Sequence, residues 1–168
     1  MDQTGMERAA MAPPDVANRI GRLRALLDRA RPDGGPVDGL VVTASANIRW
    51  LSGFSGSAGS LLVTGERALL VTDGRYRTQA AEQLGAGGVA TEIDVSIGGV
   101  EAQHRELAAA AGAAGLRTVG LEADQVSWSA KRSFEELFAP AALSPTRGVV
   151  EQLRMVKDAG EVARMERA

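Results

Sequence analysis

At 168 residues the chain is of single-domain length, and 45% hydrophobic against 24% charged residues suits one core, which 4% aromatics makes aliphatic. A net charge of −2 with no basic stripe lacks the electrostatic footprint of a nucleic-acid binder, and the absence of cysteine excludes disulfides, thiolate metal sites and cysteine nucleophiles. No apolar run approaches the ~20 residues of a membrane span and the N-terminus has no apolar signal core, so a cytoplasmic protein with no nucleic-acid or membrane partner is expected.

Residues 1–14 contain Gly5, Pro13 and Pro14 without periodicity and read as a disordered tail. Asp15 offers an N-cap, and Val16, Ile20, Leu23, Leu26, Leu27 and Ala30 recur at helical spacing. The arginines between Arg19 and Arg31 read as the solvated face of that helix. Residues 39–43 form a short buried strand, 44–51 a helical turn or short helix, and 52–58 a loop of small residues. Strands at 60–64 and 67–72 flank Gly65-Glu66, which suits a type II′ hairpin turn. Asp73 then caps a helix running to about Leu84. A strand at 91–96, a helix at 100–111, a strand at 118–121, a helix at 127–138 capped by Ser127 or Ser129, and a last strand at 141–144 follow. Helical spacing returns at 149–156, and Asp158 with Glu161 has the pattern of a capping box that opens another helix at about Ala159. The alternation with one hairpin predicts an α/β fold: a mixed β-sheet with helices on both faces. The final helix opens with a good cap and has no closing one, which reads as a cut inside a longer polypeptide.

Catalytic chemistry is sparse. His104, the single histidine, has Glu101 three residues before it, but two ligands on a helix are not a metal site; it reads as a solvated surface residue. Ser55 and Ser57 lie among glycines, yet neither completes Gly-x-Ser-x-Gly, and the loop leads into a strand instead of a helix. Gly53, Gly56 and Gly59 match neither the dinucleotide fingerprint nor a Walker loop; tight turning or close backbone approach explains them. Asp73, Gly74, Arg75 and Tyr76 place polar tips at a strand end, where they could face a ligand or form a cap with a surface ion pair. No metal-ligand set and no catalytic set emerges.

Three segments resemble the N-terminal domain of the creatinase, prolidase and aminopeptidase P family. They are Asn47-Ile48-Arg49-Trp50-Leu51-Ser52-Gly53-Phe54-Ser55-Gly56-Ser57-Ala58-Gly59, then Ala68-Leu69-Leu70-Val71-Thr72-Asp73-Gly74-Arg75-Tyr76, then Val150-Glu151-Gln152-Leu153-Arg154-Met155-Val156-Lys157-Asp158 with Glu161. The resemblance implies a domain over 15–147, with 148–168 a linker and the first turns leading into an absent C-terminal pita-bread catalytic domain. That domain would hold two divalent ions (Mn, Co or Zn), whose bridging water attacks a scissile carbonyl; this chain would hold no cofactor itself. It also implies a homodimer in which the N-terminal domain narrows access to an active site for short Xaa-Pro peptides. Arg49 and Trp50 fall where some relatives reach a neighbouring active site: Arg49 could pair with a substrate carboxylate, and Trp50 could pack on an apolar side chain. Gly53, Phe54, Gly56, Gly59, Asp73, Gly74, Arg75 and Tyr76 belong to the signature and are expected to act as scaffold. The alternatives are a stand-alone binding or dimerisation module and a creatinase-like amidinohydrolase.

Overall fold

A computed structural model describes residues 15–29 and 35–167; the expected tail at 1–14 lies outside them. Its elements run α1 (Arg19–Leu27), β1 (Gly39–Val42), α2 (Ser45–Ser52), β2 (Ser60–Thr64), β3 (Ala68–Thr72), a 3-10 turn (Gly74–Tyr76), α3 (Arg77–Ala86), β4 (Ile93–Ile97), α4 (Val100–Ala113), β5 (Thr118–Glu122), α5 (Trp128–Phe138), β6 (Ala142–Thr146), α6 (Val149–Met155) and α7 (Ala159–Met165). The strands form one sheet in the order β4-β3-β2-β1-β5-β6. β1 pairs with β2 and β2 with β3 antiparallel, whereas β3–β4, β1–β5 and β5–β6 are parallel. Five strands therefore point one way and β2 alone runs back, so the mixed α/β sheet is as expected.

The pleat sorts the apolar residues between two cores. Leu40, Val42, Leu61, Val63, Ala68 and Leu70 face the layer of α1, α2, α3 and α6, where Ile20, Leu23, Leu51, Leu84 and Val150 meet them. Val41, Leu62, Val71, Val119 and Leu121 face α4 and α5 through Leu107, Ala111, Phe134 and Phe138. All four residues of β1 are buried because helices cover both faces at the sheet centre. Each such Leu or Val contributes roughly 1.5–3 kcal/mol by leaving water. Pro145 sits on the edge strand β6, where a missing N–H disturbs only one side of the ladder.

Several local expectations change. Gly65 and Glu66 do turn the hairpin, but Gly65 has no positive φ, so the turn is not type II′. Instead the Arg67 N–H donates to Thr64 Oγ1 at 3.0 Å, and Arg24 Nε claims the Thr64 carbonyl at 2.8 Å. Asp15 does not cap α1; Asn18 occupies that position, and Asn18 Nδ2 donates to the Asp15 carboxylate. The arginines of α1 are not a solvated face. Arg19 is 4% exposed, Arg22 reaches the Leu153 carbonyl at 3.5 Å, and Arg24 pairs with Glu92 at 2.5 Å. The helix lies between the sheet and the C-terminal segment, so both sides of it are covered. The caps at Ser127 and at Asp158–Glu161 form as expected, the latter with both reciprocal bonds.

Candidate functional site at the carboxyl edge of the sheet

Because β2 alone is reversed, the carboxyl ends of β1, β3, β4, β5 and β6 and the start of β2 share one edge. In α/β sheets that edge is where ligands are held. Here it gathers the segment 43–59, the turn after Thr72, the end of β5 at Glu122 and the start of α6.

The 53–59 loop is held from several sides. Gly53 ends α2 at φ 78°, a left-handed conformation that favours glycine, with its N–H on the Arg49 carbonyl at 2.8 Å. Phe54 is 1% exposed and meets Tyr76 edge-on at 5.7 Å between centroids. A Cβ on Gly56 would stand 2.2 Å from Phe54 Cζ, and one on Gly59 2.8 Å from the Val71 carbonyl. These two glycines are therefore close-approach residues. Thr72 Oγ1 donates to the Ala58 carbonyl at 2.6 Å, the Ser57 and Tyr76 hydroxyls share a 2.8 Å hydrogen bond, and Gln79 and Gln83 donate to Ser55 Oγ. Both serines thus serve as anchors, and neither has a base beside it. The Ser57 hydrogen bond draws the Tyr76 phenol below its ordinary pKa.

Asp73 accepts the Arg75 N–H at 2.9 Å and the Arg75 guanidinium at 2.7 Å, which holds its carboxyl below the usual range. This caps the 3-10 turn instead of a full helix. Gly74 has open space where a side chain would be and no positive φ, so nothing in its surroundings demands glycine.

α2 places three polar residues in three settings. Arg49 is exposed, and its guanidinium has no partner among the described residues. Trp50 is 7% exposed; its indole N–H donates to Glu161 Oε1 at 2.8 Å while the Arg19 guanidinium stacks 4.5 Å from its ring centroid. Arg19 also donates to the Trp50 carbonyl and to Asp158 Oδ2, both at 2.7 Å. Burial would raise the Asp158 pKa, but the hydrogen bonds from Arg19 and from the Glu161 and Asp15 backbone outweigh it and put it at about 2. Asn47 is wholly buried, and its amide meets Glu122, Glu151 and Arg154. Glu122 Oε2 in turn accepts the N–H groups of Thr43 and Ala44 at 2.6 and 2.8 Å, which ties the β1–α2 connection to the end of the neighbouring strand β5.

These elements frame an open depression of about 910 Å³. Arg19, Arg49, Arg154, Lys157 and Arg164 line it against one carboxylate, Glu161, which already accepts from Trp50 and the Asp158 N–H. The depression is therefore cationic on a chain of net charge −2, with Ser45, Ser55, Ser57 and Gln83 as further polar lining. Such a surface favours an anionic group over a cation. Among the described residues no cluster of three His, Asp or Glu could hold a metal ion, and no helix is long and apolar enough to cross a membrane. His104 lies away from the depression, half-buried on α4 with its ring 4.6 Å from Phe134, not on open surface; burial lowers its pKa.

Sequence reasoning placed Arg49, Trp50 and the glycines at one locus, and the fold brings them together. It missed Arg19, Asn47 and Glu122 as a buried polar system. The available signal was Glu122 itself, a carboxylate closing the apolar strand Val119-Gly120-Leu121.

The model of the creatinase/prolidase N-terminal domain matches residues 19–156. The peptidase YqhT of Bacillus subtilis is 30% identical over 132 residues, covering 79% of this chain and 35% of YqhT. The "Probable Xaa-Pro aminopeptidase P" of Tuber melanosporum is 42% identical over 81 residues, 44% of this chain and 13% of that protein. Among solved structures, an Xaa-Pro dipeptidase from Bacillus anthracis superposes with a TM-score of 0.75 at 30% identity, covering 88% of this chain and 38% of the dipeptidase. The N-terminal domain of the cytoplasmic peptidase PepQ from Mycobacterium tuberculosis superposes at 0.65 with 36% identity, covering 81% of this chain and 98% of that domain. The chain thus spans 13–38% of these full-length relatives and nearly all of the isolated domain.

Proposed function

The chain belongs to the creatinase/prolidase N-terminal domain family, and on that premise we propose that it is the non-catalytic N-terminal part of a metal-dependent Xaa-Pro peptidase. Residues 148–168 would be the linker and opening turns into a catalytic domain carrying a pair of divalent ions (Mn, Co or Zn). The donor set here does not fit that pair, since no three ligands converge among the described residues. The chain's own contribution is recognition: the domain dimerises and narrows the approach to the active site, so that short proline-containing peptides enter in the cytoplasm.

The observation that carries this reading is Arg49, without a partner among the described residues, in a cationic depression at the carboxyl edge of the sheet. A guanidinium with free donors in an open polar hollow can take a carboxylate bidentately, and a short peptide carries one at its C-terminus. Trp50, largely buried and held by Glu161 and Arg19, would contribute a fixed wall of that hollow.

The test is hydrolysis of an Xaa-Pro dipeptide and a longer Xaa-Pro peptide with added Mn²⁺ or Co²⁺, by this chain and by the C-terminally extended protein, with light scattering for the oligomer. Turnover by the extended dimer and none by this chain supports the reading. Metal-dependent turnover by residues 1–168 overturns it. An extended protein that binds peptides without cleaving them supports the binding-module alternative, and one active only on creatine-like amidino compounds supports the amidinohydrolase.

A further inference from the structure

The Asn47 amide is fully committed. Its two Nδ2 hydrogens go to two carboxylates, Glu122 Oε1 at 2.6 Å and Glu151 Oε1 at 2.7 Å, and its Oδ1 accepts from Arg154 NH1 at 2.8 Å. A flipped amide would set its oxygen against two carboxylate oxygens and its NH₂ against a guanidinium, so the orientation is unique. The three partners come from two elements. Glu122 ends β5 and also holds the Thr43 and Ala44 N–H groups just before α2, whereas Glu151 and Arg154 lie on α6. One buried side chain therefore ties α2 both to the sheet and to the helix entering the C-terminal segment. Two residues further along α2 stands Arg49, which lines the depression and whose guanidinium has no partner among the described residues. Three residues along, Trp50 makes the second tie, to Glu161. Arg49 thus sits on a one-turn stretch clamped at Asn47 and Trp50, and both clamps run to residues 149–161.

We propose that Asn47 is a positioning residue: through α2 it sets the place of the Arg49 guanidinium, and it couples that place to α6. The inference rests on the carboxylate-recognition reading above. A ligand held by Arg49 would accordingly feel any displacement of α6, and any displacement of α6 would be felt at the depression. The low dielectric around a wholly buried amide with three charged partners makes each of its hydrogen bonds strong and its loss costly.

Two measurements test this. The chain contains no cysteine, so Ser45→Cys with Gln152→Cys gives a clean nitroxide pair reporting the α2–α6 separation. Asn47→Ala is expected to broaden that distance distribution, while Ser127→Ala, which uncaps α5 on the other face, leaves it unchanged. An unaltered distribution in folded Asn47→Ala overturns the proposal. In the extended peptidase, Asn47→Ala is expected to raise KM about tenfold for peptides with a free C-terminus, the low end for a charge-assisted hydrogen bond. It should change kcat and the KM of C-terminally amidated peptides little, and it should add nothing to KM in an Arg49→Ala background. Effects of Asn47→Ala and Arg49→Ala that multiply would mark Asn47 as merely structural and sink the inference. A KM indifferent to Arg49→Ala alone would instead remove the carboxylate reading, and the distance measurement would still decide the α2–α6 coupling. Should Asn47→Ala fail to fold, Glu151→Ala removes one of the two α6 partners of the amide without touching a residue that lines the depression, and carries the same expectations in direction.

Discussion

Replacing Arg19 with Met is the sharpest test of how the C-terminal segment is held. Met fills much of the buried stem, so the loss is mainly polar. The Trp50 carbonyl loses a 2.7 Å donor, Asp158 loses a 2.7 Å ionic partner, Glu161 loses a cation at 3.4 Å, and the Trp50 ring loses the guanidinium 4.5 Å from its centroid. Removing one member of a buried ion pair costs about 3–5 kcal/mol. Asp158 retains 19% exposure and the N–H groups of Asp15 and Glu161, which places the loss at the low end, about 3 kcal/mol. With a urea m-value of roughly 2 kcal/mol/M, the unfolding midpoint should fall by roughly 1.5 M. Arg19→Lys should not restore it, since one ammonium cannot serve the carbonyl, the carboxylate and the ring together. A second arm uses pH. Asp158 has its pKa depressed from 3.8 to about 2, so its stabilisation is complete above 3.8 and is lost as pH falls through about 2. The stability gap between the native chain and Arg19→Met should therefore narrow between pH 4 and 2, by about 1–2 kcal/mol. A midpoint shift under ~0.3 M, or a gap constant across that window, would refute this account of the clamp.

Other outcomes follow from single sites. Glu122→Gln sets an NH₂ against backbone or Asn47 N–H donors in either orientation, and calorimetry should show a loss of about 1–3 kcal/mol. Gly56→Ala drives a methyl into the Phe54 ring; thermal melts should show about 1–3 kcal/mol of overpacking, with Gly74→Ala near neutral for want of any neighbour. His104, the only histidine, should titrate below 6.5 in a proton NMR series, because burial against Phe134 disfavours the charged ring. Its share of stability is complete above 6.5 and is lost as pH falls through the lower folded value; a midpoint at or above 6.5 would contradict the packing.

Legibility in the sequence followed how local each determinant is. The strands were visible because Leu-Val-Val, Leu-Leu-Val and Leu-Leu-Val runs flanked by turn residues admit few alternatives, and the capping box at Asp158–Glu161 is a contact three residues apart. The arginines of α1 were misread because their partners, Asp158, Glu92 and the Trp50 carbonyl, are distant in sequence. A helix that carries charge on its outer side looks solvated until another segment covers it. The hairpin turn was misjudged for a related reason: Arg24 takes the Thr64 carbonyl that a type II′ turn would use, and nothing near Gly65 announces this. At the candidate site, the glycines and the Arg49–Trp50 pair were legible as a motif, but which of the pair is free and which is enclosed required the fold.

The strand order also has a consequence for synthesis. β1 to β4 occupy consecutive places in the sheet, so the first four strands can assemble as they emerge from the ribosome. β1 then has β2 on one side and nothing on the other until Thr118–Glu122 appears. At about 5–20 residues per second that wait lasts roughly 4–15 s, during which Gly39–Val42 offers an apolar, unpaired edge to any passing strand. The nascent chain is most open to misassociation in that interval, and holdase demand should drop once the second parallel block docks.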